Sequence, residues 1–541
     1  MKTMKRFFAV VLAMVTMCTM AACGNTAPAA SQPAETAAPA VEDATENPEE
    51  VLDEETQSGE TQPAEVVSKH LNLAANFAYA SLDPHKDYNG WYTSIYGITE
   101  TLFKIGDDMG LEPILAEGYE NSGNVWTIRI NQAASFSNGN KVTADMVMRN
   151  LKRLAEVNER FAYMGEWDME ATDDATLVIT TKESYPILIN DLATPEAGII
   201  DLDNTTDTDN AIIATGPFVI DEFIPEGDVT VKRNDNYWNG EVKLDSAKFY
   251  YMHEDEPKLM AMQSGEIDGY DSVTSEAAQI YQAEPDKYFL NSVAGTRLQF
   301  ALLNKDRMSD TIRKVVNGTI DKESIADFLS GTVSPTAGPY NADSAYGKAN
   351  GPEKLSAEDA KALIESDGYV LNADGYYEKD GKELDLNICY YAARSLDSIA
   401  LLIQEQLKGI GVRSHLTVEE DPDATYMMSG NYDIALYCMI SDKSGDPYYF
   451  IETVLLTNSY YNHYGYKNTK ADEMAAELAV ETDSAKRAEL ANEIIQMSID
   501  DNVVNYLEHF NKITVLKPGI TGYADTNPFD FYAISKDTDI N

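Results

Sequence analysis

The sequence predicts an α/β protein with mixed sheets that follows an N-terminal segment outside the fold. Three observations support this prediction. Strand-like and helix-like stretches alternate from residue 67 to residue 541, and that length is enough for two or three domains. The first 66 residues instead have the composition of a signal peptide and an unstructured linker.

Residues 1–22 predict a signal peptide. Three basic residues precede an apolar stretch from Phe7 to Ala22 that is short for a transmembrane helix. Cys23 follows two alanines, which resembles the lipobox of bacterial lipoproteins, in which the cysteine is lipidated and becomes the mature N-terminus. We therefore expect an extracytoplasmic protein that is lipid-anchored to the bacterial cell membrane at Cys23. Cleavage without lipidation is the alternative.

Residues 23–66 predict a disordered acidic tether. This stretch contains eleven acidic residues and no Lys or Arg, so it cannot bury enough apolar surface to offset the entropy of ordering. The whole chain has 41 basic and 90 acidic residues and a formal net charge of −49. Nucleic acid is therefore not expected as a partner.

Hydrophobic periodicity and end signals predict the elements of the remaining chain. Strands are predicted for HLNLAANFA, NVWTIRI, ATLVITTK, GPFVIDEF, DVTVKRN, LDLNICYYAA, VRSHLTVEE and YDIALYCMI. Helices are predicted for YTSIYGITETLFKI, for residues 143–154, for EPKLMAMQSG and for SLDSIALLIQEQLKGIG.

The ends of these helices have recognisable signals. Thr143 is a natural N-cap for the second helix, and Gly265 suits a left-handed C-cap after the third. Ile399, Ile403 and Leu407 fall on one face of the last helix. Alternating helices and strands of this kind predict an α/β fold.

Cysteine and histidine offer no catalytic or metal motif. Cys389 and Cys438 lie in predicted strands, so one disulfide and two buried free thiols are both open. The sequence has no CxxC, HExxH or GxSxG motif, and its six histidines are scattered. We expect no cofactor and no enzymatic activity.

Seven segments follow one another along the chain: SLDPHKDYNGWYTSIYGITETLFK, LAEGYENSGNVWTIRINQAASFSNGNKVTADMVMRNLKRL, ATGPFVIDEF, VKRNDNYWNGEVKLDSAKFYYM, LMAMQSGEIDGY, LLNKDRMSDTIRKVVNGTIDKESIADFLSG and GYKNTKADEMAAELAVETDSAKRAELANEIIQMSIDDNVVNYLEHF. In this order they resemble the solute-binding proteins, family 5, of peptide and nickel ABC importers.

The resemblance implies a two-lobed periplasmic-binding-protein-like fold of type II, with an extra domain inserted in the first lobe. A monomer would hold a small solute between its lobes and deliver it to a permease driven by a separate ATPase. The chain is expected to cross between lobes near Gly295–Asn304 and Asn502–Glu508. The implied domains are residues 67–108, 213–295 and 506–541 for lobe I, 109–212 for the inserted domain and 296–505 for lobe II.

The segment YCMISDKSGDPYYF carries the main expectation about the ligand. Peptide binders of this family hold the ligand's amino group with an Asp shortly before an acidic-Pro pair, which here is Asp446–Pro447. Counting back without a gap places Lys443 there, with Asp442 beside it. Either Asp442 is the amine anchor after a one-residue shift, or Lys443 pairs with a ligand carboxylate. Asp446 and Pro447 are also expected to be the N-cap and the first residue of a helix through YYFIETVLL.

Short peptides are the first ligand class and a nickel chelate is the second. The nickel branch uses an Arg for the chelate's carboxylates, but the corresponding stretch YPILINDLATPEAGIID has none and holds Glu196 there. His463 is a candidate metal ligand, with a surface or packing role as the alternative. An exported hydrolase, an adhesin or a sensor is the alternative of another class. The remaining candidate ligand-binding residues are Tyr88, Trp91, Tyr92, Thr215, Gly216 and Tyr448.

Overall fold

A computed structural model describes residues 68–541. The predicted signal peptide, Cys23 and the tether lie outside the described residues, so these expectations stay predictions. Within residues 68–541, no helix has the length and apolar character needed to cross a membrane.

The described strands are β1 (His70–Ala75), β2 (Phe103–Ile105), β3 (Leu111–Pro113), β4 (Ala116–Ser122), β5 (Val125–Ile130), β6 (Asp168–Asp173), β7 (Thr176–Thr180), β8 (Phe218–Phe223), β9 (Val229–Arg233), β10 (Ser246–Tyr251), β11 (Gly269–Asp271), β12 (Phe289–Leu303), β13 (Val333–Pro335), β14 (Val370–Leu371), β15 (Tyr377–Lys379), β16 (Lys382–Glu383), β17 (Asp385–Tyr390), β18 (Arg413–Val418), β19 (Ile434–Ile440), β20 (Val504–Leu516), β21 (Ile520–Thr521) and β22 (Asp539–Ile540).

The described α-helices are α1 (Asn89–Ile95), α2 (Ala144–Val157), α3 (Leu188–Asp191), α4 (Asp255–Ser264), α5 (Ser275–Gln282), α6 (Asp310–Thr319), α7 (Lys322–Phe328), α8 (Ala357–Ser366), α9 (Leu396–Gly409), α10 (Tyr448–Phe450), α11 (Thr469–Leu478) and α12 (Ser484–Asp500). Glu159–Glu166 and Pro195–Ala197 form 3₁₀ helices, and Asp423–Met427 and Ile451–Leu455 form π-helical turns.

One sheet of eleven strands organises most of these elements. Its order is β18-β17-β19-β12-β20-β11-β1-β10-β9-β8, and β13 pairs with β20 beside that path. β17 runs parallel to β18 and β19, and β1 runs parallel to β10 and β11. The pairs of β12 with β19 and with β20 are antiparallel. The predicted α/β class with mixed sheets is therefore confirmed.

The longest strands, β12 and β20, pair with each other in the middle of this sheet. The first part of β12 pairs with the last part of β20, which is also bonded to β11. The second part of β12 pairs with the first part of β20 and is bonded to β19 on its other side. These two strands therefore join the β1–β11 side of the sheet to the β17–β19 side.

The register between β12 and β20 shifts between Ala294 and Leu298. The expected first crossing, Gly295–Asn304, contains this shift. The expected second crossing, Asn502–Glu508, ends one residue before His509, the partner of Leu298. The domain boundaries given above stay a prediction.

A separate four-stranded antiparallel sheet, β4-β5-β7-β6, lies within residues 109–212, the range expected for the inserted domain. Helix α2 supplies Val147, Leu151 and Leu154 to the same hydrophobic core as Ile128 of β5. The Thr143 hydroxyl accepts a hydrogen bond from the Met146 amide at 3.2 Å, as its N-cap role predicts.

The core follows the alternation of side chains along the central strands. Phe300 and Leu302 of β12 face one cluster, whereas Ala301 and Leu303 face another. Because successive strand residues point to opposite faces, β12 is buried on both sides at this point.

The eight predicted strands are confirmed as β1, β5, β7, β8, β9, β17, β18 and β19, and α2, α4 and α9 confirm three of the five predicted helices. The helix predicted through YYFIETVLL is present as α10 and the π-helical turn Ile451–Leu455 that continues it. Gly265 has a φ of 84° at the end of α4, as its C-cap role predicts. The remaining predicted helix, over residues 92–105, is wrong beyond Ile95. Gly97 adopts a φ of 66°, which a helix cannot continue through, and Phe103 begins β2.

The two cysteines of the described residues could form a disulfide or remain free thiols, and the structure has free thiols. Cys389 and Cys438 are both free and buried. Cys389 of β17 lies beside Ala435 of β19, three residues before Cys438, so the two thiols are offset along neighbouring strands.

Candidate functional site

The candidate site lies where β17 and β19 end. These parallel strands have their carboxyl ends at the same edge of the sheet, and β12 brings Arg297 there as the partner of Ile440. Ligands of open α/β sheets bind outside such carboxyl ends. The loops that follow, residues 391–395 and 441–447, therefore form one wall of the candidate site.

Helix α1 and Tyr88, the residue just before it, contain the three aromatic residues that the sequence singled out. The Trp91 ring packs on Phe531 with a centroid separation of 5.3 Å, and the Tyr92 ring lies 3.9 Å from the ring of Tyr79. Tyr88 is 48% exposed, and the Arg160 guanidinium lies 4.0 Å from its ring centroid. The structure thus brings Trp91 and Tyr92 against two other segments and leaves Tyr88 at the rim.

Asp530 links this aromatic group to the edge of the sheet. Its side chain is accessible to solvent although protein surrounds it closely, as expected for a cleft-lining group. Burial raises the pKa of Asp530, and the charges of Lys512 and Arg297 oppose that rise. The Asp530 charge in turn contributes to the raised pKa of Tyr92. The Asp530 carboxyl therefore lies near both Tyr92 and Arg297, and the sequence analysis missed Asp530.

The Asp442 carboxyl is buried and hydrogen-bonded within the protein. It is 1% exposed; Oδ1 accepts a hydrogen bond from the Gly445 amide at 2.8 Å and Oδ2 accepts one from the Tyr346 hydroxyl. Burial raises the pKa of this carboxyl to about 7, although both hydrogen bonds oppose the rise. Asp442 therefore holds the 441–447 turn together.

Asp446 also stabilises this turn. Its Oδ1 accepts from the Tyr448 amide at 2.9 Å, which is the expected capping interaction. Its Oδ2 accepts from the Arg487 Nε at 3.1 Å and from Nη2, and both side chains are buried. Tyr448, another predicted ligand residue, packs against the adjoining core.

Lys443 is exposed between these two buried acids. Its Nζ lies 5.9 Å from the Tyr449 ring centroid. The next residues, Ser444 and Gly445, have positive φ values of 62° and 74°, which turn the chain sharply. Of the three charged residues in the turn, Lys443 is the one that the fold leaves exposed.

The 441–447 turn contacts the segment expected to be the inserted domain. The Asn190 amide donates to the Ser444 carbonyl at 2.8 Å and to the Gly445 carbonyl at 3.1 Å. Next to it, Asp191 accepts hydrogen bonds from the hydroxyls of Tyr163 and Tyr185, each at 2.7 Å.

Burial raises the pKa of Asp191 to about 6, against these hydrogen bonds and the charge of Lys443. The sequence analysis missed both Asn190 and Asp191, because nothing in their local pattern shows that they face a turn some 250 residues away.

Thr215 and Gly216 serve close backbone packing. A Cβ at Gly216 would lie 2.3 Å from the Gly97 carbonyl oxygen, so only glycine fits. Thr215 is fully buried beside Glu100, which accepts from the Tyr237 hydroxyl at 2.6 Å. Burial raises the pKa of Glu100 to about 7, and hydrogen bonds from the Tyr237 hydroxyl and the Trp238 indole oppose the rise.

His463 lies apart from the other candidates. Its backbone packs against Gly430, just before β19 begins. The strand β19 runs from there to Ile440, seven residues that span roughly 20 Å at the usual strand rise. Among residues 68–541 there is no group of three or more His, Cys, Asp and Glu side chains placed to hold a metal ion.

Glu196 is paired with an arginine from another segment. The Arg160 Nη1 donates to Glu196 Oε1 at 2.8 Å, and Glu196 is 1% exposed. Burial raises the pKa of Glu196, and Arg160 opposes that rise. The YPILINDLATPEAGIID stretch has no Arg of its own, but Arg160 from another segment lies next to it. Glu196 already neutralises the charge of this Arg160.

Comparisons with known proteins agree with this architecture. The family described as bacterial extracellular solute-binding proteins, family 5 Middle, matches residues 110–462. The nickel-binding protein NikA of Staphylococcus aureus (strain NCTC 8325 / PS 47) is 24% identical over 480 residues, 87% of this chain and 94% of that protein. The periplasmic oligopeptide-binding protein OppA of Escherichia coli (strain K12) is 23% identical over 502 residues, 83% and 89% of the two chains.

Two solved structures have the same fold. A nickel ABC transporter protein from Bacillus halodurans superposes with a TM-score of 0.82 and 26% identity, covering 87% of this chain and 100% of that chain. The unliganded open form of the murein tripeptide-binding protein MppA superposes with a TM-score of 0.77 and 19% identity, covering 88% and 98%. The two-lobed fold expected from the sequence is confirmed, and the chain belongs to the bacterial extracellular solute-binding proteins of family 5.

Proposed function

We propose that this protein is the substrate-binding component of an ABC importer and that short peptides are its first candidate solute. The match to the family over residues 110–462 carries this proposal. OppA is named as an oligopeptide-binding protein and MppA as a murein tripeptide-binding protein. The aromatic side chains of Trp91 and Tyr92 supply apolar surface next to polar groups, as in many small-molecule sites.

A nickel chelate is the second candidate. The named nickel proteins from Staphylococcus aureus and Bacillus halodurans favour it, since both cover 87% of this chain. The pairing of Arg160 with Glu196 speaks against it, because that guanidinium is already neutralised by a buried carboxylate. His463 at the far edge of the sheet gives it no further support.

The remaining parts of the proposal follow the family. The protein binds and releases its solute without chemical change, acts as a monomer and hands the solute to a permease whose energy comes from a separate ATPase. Cys23 carries the lipid anchor outside the cell membrane, and the acidic segment to residue 66 serves as the tether. Closure of two lobes on a solute is stabilised by contacts present only in the closed state.

Calorimetry with a short-peptide library and with nickel plus L-histidine tests the choice of solute. A peptide that binds with micromolar or better affinity, together with no response to nickel and histidine, is the expected result. Trp91→Ala is expected to weaken that binding, whereas Tyr119→Ala, which changes an exposed ring on β4, leaves it unchanged. Binding of nickel with histidine alone would overturn the peptide assignment.

A further inference from the structure

A buried glutamate of β20 has a carboxyl group without a hydrogen-bond donor. Glu508 is fully buried, and within residues 68–541 neither Oε1 nor Oε2 has a hydrogen-bond partner. Burial without donors disfavours the charged form of a carboxyl group. Burial accordingly raises the pKa of Glu508 to about 8, and the charge of Lys322 opposes the rise. Glu508 therefore holds a proton at neutral pH and loses it as the pH rises through about 8.

Gln299 lies directly opposite Glu508, on the neighbouring strand β12. Residues that face each other across an antiparallel pair have their side chains on the same face, with Cβ atoms about 4.5–5.5 Å apart. Gln299 is also fully buried, and its Oε1 is a second acceptor without a donor in the described part of the chain. The protonated carboxyl of Glu508 can supply this donor, because its O–H can bond to Gln299 Oε1.

The other end of the Gln299 amide holds a wall of the candidate site. Its Nε2 donates a hydrogen bond to the Arg394 carbonyl, in the loop of residues 391–395. Arg394 and Ser395 have positive φ values of 56° and 57°. Residues other than glycine adopt this conformation where the surrounding structure holds them in it. The hydrogen bond from Gln299 is one contact that does so.

Glu508 and Gln299 both lie where the chain is expected to pass between the lobes. Gln299 belongs to the expected first crossing and Glu508 to the expected second. The register of β12 with β20 shifts directly beside this pair, between Gln299 and Phe300. A change in hydrogen bonding here therefore acts on the two strands that join the β1–β11 side of the sheet to the β17–β19 side.

Helix α7 supplies the charged groups that act on Glu508. The Lys322 Nζ donates to two backbone carbonyl oxygens rather than to the Glu508 carboxyl. Burial lowers the pKa of Lys322 to about 8, against the charges of Glu508 and Glu323. Glu323 stays ionised, because a hydrogen bond from Lys354 lowers its pKa. Lys322 and Glu508 therefore titrate in the same pH range, and an experiment has to separate them.

The remaining titratable groups around this carboxyl keep one charge state between pH 6 and pH 9. Burial lowers the pKa of His509, the next residue of β20, to about 4. Burial raises the pKa of the Cys438 thiol to about 11 and that of Tyr391 to about 12. The part of β13 that pairs with β20 here has no titratable side chain. Arg297 and Arg394 stay charged at these pH values.

We propose that the protonated carboxyl of Glu508 positions the 391–395 loop through Gln299, and that its ionisation at alkaline pH releases this loop. An ionised carboxyl group repels Gln299 Oε1 and attracts the NH₂ group instead. When the amide turns over, Oε1 faces the Arg394 carbonyl and the hydrogen bond to the loop is lost. The proposal rests on the proposed function for its consequence, a solute affinity that is higher at neutral than at alkaline pH.

Hydrogen–deuterium exchange of the full chain, purified in detergent, tests this positioning role without a solute. Protection factors, which are corrected for the pH dependence of chemical exchange, are measured at pH 6, 7, 8 and 9. In wild type, protection of residues 391–399 is expected to fall about 2- to 10-fold between pH 7 and pH 9, the value of one hydrogen bond. The amides of β5 serve as the internal reference, and an equal fall there would overturn the proposal.

Two substitutions of the pair are expected to remove the pH response in opposite ways. In Glu508→Gln the side-chain NH₂ is a permanent donor to Gln299, so loop protection should stay high at every pH. In Gln299→Met neither hydrogen bond can form, so loop protection should be low at every pH. A response that persists in Glu508→Gln would assign the titration to Lys322 and overturn the proposal.

Asp442→Asn is the matched control, because burial raises the pKa of this second acid of the same wall to about 7. The variant is expected to keep the wild-type fall in loop protection. Loss of the fall in Asp442→Asn, or its absence from wild type, would overturn the role of Glu508.

Calorimetry with trialanine at pH 7 and pH 9 measures the consequence for the solute. Wild type is expected to lose about 2- to 10-fold more affinity at pH 9 than Glu508→Gln does, and this comparison cancels the titration of the peptide's own amino group. An equal loss in both proteins would overturn the effect on affinity. If trialanine binds to neither protein, the peptide assignment fails by itself, and loop protection still decides the role of Glu508.

Discussion

Replacing Asp442 by Asn is expected to stabilise the protein above pH 7 and to leave its stability unchanged near pH 4. Burial raises the pKa of Asp442 from 3.8 to about 7. The folded state therefore holds this proton more tightly than the unfolded chain does. The stability that protonation contributes is fully present below about pH 4 and is lost as the pH rises through about 7.

The magnitude follows from the size of this shift. About three pKa units at 1.36 kcal/mol each give a penalty of about 4 kcal/mol for the ionised group. An Asn side chain reproduces the protonated carboxyl, because its oxygen can accept from the Gly445 amide and its NH₂ can donate to the Tyr346 hydroxyl oxygen. The difference in free energy of unfolding between variant and wild type should grow from near zero at pH 4 to at most about 4 kcal/mol at pH 8.

Urea unfolding at pH 4, 5, 6, 7 and 8 measures this difference. Asp374→Asn, at an exposed position between β14 and β15, is the matched control and should follow the wild-type curve. A difference that does not change with pH, or a variant less stable than wild type at pH 8, would refute the reasoning. Peptide affinity should change little, and its complete loss at unchanged stability would instead identify Asp442 as the amine anchor.

Three further substitutions test other parts of the structure. Arg487→Met leaves the buried Asp446 carboxylate unpaired and should cost about 3–5 kcal/mol in urea unfolding, whereas Arg413→Met at an exposed pair should cost less than about 1 kcal/mol. Gly216→Ala places a Cβ 2.3 Å from the Gly97 carbonyl oxygen and should lower the free energy of unfolding by about 3 kcal/mol, with an unchanged melting temperature as the contrary result. His463→Ala should leave solute affinity in calorimetry unchanged, and a loss of binding would place this residue in the site.

Much of the fold could be predicted because its strands and helices carry local signals. The strand β5 alternates, α2 begins at a capping Thr143, and α4 ends at Gly265 in a left-handed conformation. The prediction of a helix over residues 92–105 was wrong for a physical reason. Ile95, Ile98 and Leu102 have helical spacing, but this segment is buried on several sides. Apolar spacing alone therefore could not distinguish a helix from an irregular segment of the core.

The candidate site was only partly predictable, because its members come from distant parts of the chain. Trp91 and Lys443 could be found from the resemblance, since they lie in recognisable segments. Asp530 lies in a loop without a pattern of its own, and only the folded chain brings it near Tyr92 and Arg297.

The charges of the 441–447 turn are arranged opposite to those of an amine-binding site. Asp442 accepts hydrogen bonds from Tyr346 and Gly445, and Asp446 is paired with Arg487. Lys443 is therefore the charged side chain of the turn that remains exposed. Together with Arg297, which pairs with the last residue of β19, Lys443 gives this edge of the sheet two positive charges, although the chain as a whole has a formal charge of −49. A strongly acidic protein repels anions at long range, whereas these two charges attract them at short range. A solute that carries both a carboxylate and an ammonium group would avoid the long-range repulsion and still meet these charges. We therefore expect zwitterionic solutes, such as peptides and amino acids, to bind better than solutes with a net negative charge.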